Sequence, residues 1–93
     1  MTATPAQVAN DLEAQATFWR KRDDDIAKAC LDAAHMIRLL LARRPVDGRS
    51  WTGLHRRLLN LTSFGPHDAR SGASRSLQRG LDTLTAMRRE AGL

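Results

Sequence analysis

Residues 4–45 read TPAQVANDLEAQATFWRKRDDDIAKACLDAAHMIRLLLARRP, and how this stretch is divided decides the fold. No Gly or Pro falls between Pro5 and Pro45. At the start, Thr4 is placed to cap a helix, Pro5 occupies a first-turn position where its missing N–H costs nothing, and Gln7 completes a capping box. Val8, Leu12, Ala16 and Trp19 then recur at helical spacing, and the stripe resumes in phase as Ile26, Cys30, Ala33, Ile37 and Leu40. Two readings follow. A single helix of about 40 residues would run roughly 60 Å, supported by Arg20/Asp24 and Lys21/Asp25 pairs one turn apart. Alternatively the chain breaks at Arg20 to Arg22, and Asp23 caps a second helix whose first turn carries Asp24 and Asp25, as the helix dipole prefers. Ordinary helix lengths favour the break.

Downstream of this stretch, Arg43-Arg44-Pro45 is a stop, with cations over the last carbonyls and then a residue that cannot continue the helix. Asp47-Gly48 turns the chain, Ser50 is the expected cap of a third helix, and Trp51, Leu54, Leu58 and Leu61 form its inward stripe. Gly65-Pro66 ends that helix and residues 67–73 read as a polar loop. A last helix from about Ser74 carries Leu77, Leu81, Leu84 and Met87, with Gly80 marking either a weak point or a close helix crossing. The expected fold is all-α, a single domain over residues 1–93. It is a small bundle of three to four helices near residues 5–21, 24–43, 50–63 and 74–90, the first two joined as one in the long-helix reading. Composition agrees, because tyrosine is absent and Val8, Ile26, Ile37 and Val46 are the only β-branched aliphatics, which disfavours a sheet.

Cys30 is the single cysteine, so no intramolecular disulfide can form and a reducing compartment is expected. The first ten residues lack the basic and apolar regions of a signal peptide. The longest apolar run, Leu39 to Ala42, is far below the roughly 20 residues a bilayer span needs. A cytoplasmic protein with no membrane association is the expectation.

Charge is distributed unevenly. Met1 to Ile37 holds four basic residues against six acidic ones, whereas Arg38 to Leu93 holds eleven arginines against Asp47, Asp68, Asp82 and Glu90, so the net charge of +5 belongs to the second half. A field of that sign attracts polyanions or an acidic protein face. On the third helix, Arg49, Arg56, Asn60 and Ser63 lie opposite the apolar stripe with Arg57 and His55 flanking it. Arg and Asn suit phosphate oxygens and the edges of G and A. On the last helix Arg75 and Arg79 stack one turn apart, while Ser71, Ser74 and Ser76 crowd the N-terminus, where backbone N–H groups accept anions. Phe18 and Trp19 point in adjacent directions on the first helix, so one of them is expected to face outward as an anchor for a partner. Trp51, in phase with three leucines, reads as core.

Other chemistries find no pattern. His35, His55 and His67 are widely separated, and neither CxxC nor HExxH occurs, so no metal site and no cofactor is expected. Cys30 lies on the buried stripe, where an apolar setting raises the thiol pKa and quenches its nucleophilicity. No nucleophile elbow or phosphate loop is present, so no catalytic residue is assigned. A helix-turn-helix requires a turn of about three or four residues, and the connection after Phe64 is too long. The sequence therefore points to a small non-enzymatic binding protein that contacts DNA or RNA through Arg49, Arg56, Arg57, Asn60, Arg75 and Arg79. The alternative is an inhibitor or adaptor that docks on the acidic face of a larger, nucleic-acid-processing partner. A homodimer through the Leu12 to Leu40 seam of the N-terminal helices is compatible with both.

Overall fold

Thr4 and Asp23 divide the N-terminal stripe into two helices. The structure, a computed structural model, describes residues 3–62 and 71–90. Thr4 accepts from Gln7 N while the Gln7 side chain accepts from Thr4 N, the expected capping box, and α1 runs Pro5–Trp19. The chain turns through Arg20 to Arg22. The Asp23 carboxylate then accepts from the amides of Asp25 (3.1 Å) and Ile26 (3.3 Å), and α2 runs Asp24–Leu41. The expected break is present. Without Asp23's oxygens the first amides of α2 would lack acceptors, and the stripe would have no signal to fold back on itself.

α2 stops by a backbone device. Arg44 N donates to Leu39 O (2.9 Å) and Arg43 N donates to Leu40 O (3.1 Å), the paired bonds of a Schellman motif. Arg43 sits at the left-handed position of that motif with φ 55°, where glycine is the usual residue. α3 runs Gly48–Leu61, and its cap is Asp47, which accepts from Arg49 N. This corrects the assignment of Ser50, whose hydroxyl instead donates to Asp47 Oδ2 from within the first turn. Asp47-Gly48 was expected as a turn, but a glycine is tolerated in a first turn when an aspartate precedes it. α4 runs Ser71–Glu90, three residues longer at its start than the serine pattern suggested. The expected Gly65-Pro66 stop, Ser63, and residues 67–70 of the polar loop lie outside the described residues.

α2 is the central element. Eight of its residues are buried, and four of them are alanines beside Cys30, so neighbours can approach its axis from several sides. It packs on α1, α3 and α4, whereas α1 and α3 do not touch among the described residues. Leu12, Ile26, Ile37, Leu58, Leu77 and Leu84 are the large side chains at its core, all essentially inaccessible. Of the Leu12 to Leu40 seam, Leu12, Ile26, Cys30, Ala33 and Ile37 are spent inside the bundle, while Phe18, Leu31 and Leu41 remain exposed on the N-terminal helices.

The connectivity is up, down, up, down. Ala3, Pro5 and Val8 at the start of α1 share a groove with Met87 and Glu90 at the end of α4, and Leu40 at the end of α2 meets Gly48 and Trp51 at the start of α3. One end of the bundle thus gathers two helix starts and two helix ends. Gly80 resolves as a close crossing, since a Cβ placed there would lie 3.0 Å from Leu12 Cδ1. Gly53 has open space around it. Urea unfolding should show Gly53→Ala stabilising by up to about 1 kcal/mol and Gly80→Val destabilising by about 2 kcal/mol or more. Equal effects at the two glycines would contradict a tight α1/α4 crossing.

Candidate functional site

α3 presents Arg49, Arg56 and Asn60 on the face opposite Trp51, Leu54 and Leu58, and all three are exposed while the three apolar residues are buried. The spacing places them along one outer stripe. Arg57, on the flank, is not free. It donates to Asp32 Oδ2 of α2 at 2.8 Å and lines the groove between α2 and α3 with Arg49, His35 and Asp32. That ion pair is exposed and worth little to stability, but it places a carboxylate on that side of α3.

The expected single patch does not form. Arg79 faces the groove between α1 and α4, where it sits with Asp82 and Glu90. Arg75, one turn earlier, is exposed on the same helix. The structure therefore brings Arg49, Arg56 and Asn60 together and leaves Arg79 on the opposite flank of α4. Of the two aromatic anchors, Trp19 is in the core, and Phe18 is half exposed with the Arg22 guanidinium 4.1 Å from its ring centroid. The exposed ring of the pair is thus Phe18, and Trp19 is corrected to a core residue whose Nε1 donates to Gln15.

Two pairs of arginines not singled out from sequence join the site. Arg88 and Arg89, in the last turn of α4, line the α3/α4 groove with Trp51, Thr52, His55 and Thr85, a cleft of about 440 Å³. The Arg88 guanidinium lies 4.9 Å from the Trp51 ring centroid, and His55 stacks on Trp51 at 6.0 Å. This cleft contains cations, hydroxyls and an imidazole, and no carboxylate among the described residues lines it. The α1/α4 and α2/α3 grooves and the wider bundle-end groove each include at least one, whereas the small adjoining cleft of Leu40, Val46, Gly48, Trp51 and Arg88 has none among the described residues. Arg43 and Arg44 lie at the same end of the bundle, beside Met87 and Glu90. Up-and-down connectivity was the signal in the sequence that could have found both pairs, because it places the end of α2, the start of α3 and the end of α4 together.

At the α4 N-terminus, the described part of the expected anion site is Ser74 and Ser76, and Ser74 Oγ is buried without a hydrogen-bond partner among the described residues. Cys30 is fully buried, and desolvation pushes its thiol up to about 11. No helix among the described residues is long and apolar enough to cross a membrane. No family of known proteins, no curated protein and no solved structure matches the chain.

Arg38 is taken up by α1. It bonds Glu13 and donates to Asn10 Oδ1 (3.1 Å), and the Glu13 hydrogen bond, aided by the guanidinium charge, holds that carboxyl below its ordinary 4.5. A carboxyl depressed in the folded state stabilises above its unfolded pKa and loses that contribution as pH falls through its folded value. Glu13→Gln should therefore unfold less steeply than the parent between pH 4.5 and lower values, measured by thermal melts. Parallel pH profiles would refute the α1/α2 pair in solution.

Proposed function

We propose that the protein is a non-enzymatic binding module that takes nucleic-acid phosphates along the α3/α4 groove. The observation that carries this is that no carboxylate of the described residues lines that groove, with Arg88 and Arg89 on one wall, Thr52 and His55 on the other, and exposed Arg56 and Arg49 further out along α3, Arg49 also bordering the α2/α3 groove. Neither Arg49 nor Arg56 has a carboxylate partner among the described residues. Arginines of this kind position a phosphate backbone, with Asn60 and His55 able to hydrogen-bond bases that come within reach. Arg79 stands outside the interface, in the α1/α4 groove, and Arg57 contributes less because Asp32 already holds it. A buried, high-pKa Cys30 supports binding over thiol catalysis and fits a reducing cytoplasm.

A second reading, an adaptor docking on an acidic partner, draws on the half-exposed Phe18 with Arg22 above it, since aromatic and arginine side chains anchor interfaces. Retention of a protein from nuclease-treated lysate together with failure to bind any nucleic acid would select it.

Fluorescence anisotropy with a labelled 20-base-pair duplex and a single-stranded RNA tests the first reading. Four phosphate contacts give a log–log salt slope of about −3.6, which is an affinity loss of roughly 150-fold between about 50 and 200 mM salt. Arg56→Ala should reduce the slope by about 1, and Arg79→Ala should leave it unchanged. Salt-independent binding, or equal effects of the two substitutions, would remove the proposal.

A further inference from the structure

The end of the bundle where α2 hands over to α3 holds a second recognition surface. A groove of about 940 Å³ runs between the end of α2, the α2–α3 connection and the end of α4, with Leu40, Val46 and Met87 as its apolar lining and Arg43 and Arg44 at its edge. Leu40 and Val46 also border a more enclosed cleft of about 170 Å³ that reaches Trp51 and Arg88. That volume is close to the roughly 150 Å³ that accommodates a benzene ring in an engineered apolar cavity. An apolar slot of side-chain size thus opens beneath a rim of guanidinium groups. Among the described residues Glu90 is the one carboxylate lining the wider groove, and Arg43, Arg44 and Arg88 outnumber it.

Arg43 gives this surface a second mark. Its backbone is held at φ 55°, a conformation that glycine adopts freely and that costs a side-chain-bearing residue stability. Neither Arg43 nor Arg44 has a carboxylate partner among the described residues, so no ion pair offsets that strain. The Schellman bonds account for the backbone conformation but favour glycine there, so an arginine kept at that position points to a role for its side chain outside the fold.

We infer that this corner binds an acidic peptide segment of a partner protein, seating one large apolar side chain in the Leu40/Val46/Trp51 cleft while flanking carboxylates meet Arg43, Arg44 and Arg88. Charge complementarity selects the flanks and the enclosed slot selects the anchor. A nucleic acid offers charge but no aliphatic or phenyl anchor for the slot. The surface shares Trp51 and Arg88 with the α3/α4 groove and adds Arg43, Arg44, Leu40 and Val46, so its occupancy leaves Arg49 and Arg56 open.

Selection from a random twelve-residue peptide library displayed on phage tests this, followed by titration of the winning synthetic peptides with tryptophan fluorescence as readout. The expected winners carry one Phe, Leu, Trp or Met among two or more acidic residues. They should bind the parent about tenfold more tightly than Arg43→Glu/Arg44→Glu, and replacing their apolar residue with Ser should cost about tenfold as well. Val46→Asp, a change in a half-exposed loop residue, should weaken binding while leaving the helical circular dichroism intact. Arg43→Gly should raise the melting temperature by about 4–8 °C and yet lower affinity, a combination a purely structural arginine would not give. A library that yields no winners, winners without an apolar residue, or indifference to charge reversal would each overturn the assignment.

Discussion

The Asp23 carboxylate sets the geometry on which everything else rests. By accepting from the first amides of α2 it lets the chain reverse after Trp19, so two halves of one continuous stripe face each other instead of running on as a single rod. The cap itself is worth about 1 kcal/mol, small beside the burial it directs. Reversal brings Leu12 and Ala16 against Cys30, Ala33 and Ile37 within one core and leaves the small residues of α2 free on further sides for α3 and α4. Gly80 then allows α4 to settle close to Leu12.

The arrangement of the arginines follows from the same reversal. In an up-and-down bundle, alternate chain ends meet, so arginines far apart in sequence become neighbours in space. Arg43 and Arg44 finish α2, Arg49 begins α3, and Arg88 and Arg89 finish α4. Cations at helix C-termini also complement the dipole, so the fold tolerates them there at little cost. Carboxylates are placed unevenly around them. Asp32 takes Arg57, Glu13 takes Arg38, and Asp82 with Glu90 accompany Arg79, while the α3/α4 groove receives none among the described residues.

Much of the fold was legible because it rests on local signals. Thr4 with Gln7, Asp23 before two acids, and the leucine spacing of α3 and α4 each act within a turn or two of the chain. The outer stripe of Arg49, Arg56 and Asn60 was legible for the same reason. The cap of α3 was misread because Asp47 and Ser50 both suit the position, and only the backbone path shows that Asp47 accepts from Arg49 N. The convergence of the arginines was not legible, since it depends on which way α4 is rotated. Gly80 fixes that rotation by turning toward Leu12, and this carries Arg79 toward α1 and Arg88 toward Trp51. Spacing put Trp19 in phase with Val8, Leu12 and Ala16, and burial of Trp19 with Phe18 half exposed follows from that phase.

The most direct test of the account is a two-dimensional amide and guanidinium NMR titration of the isotopically labelled protein with a random-sequence DNA duplex. Shift changes concentrated at Arg49, Thr52, His55, Arg56, Arg88 and Arg89, with α1 and Arg79 unmoved, are the predicted result. Perturbations centred on Arg79 and the start of α1, or none at saturating duplex, would contradict it.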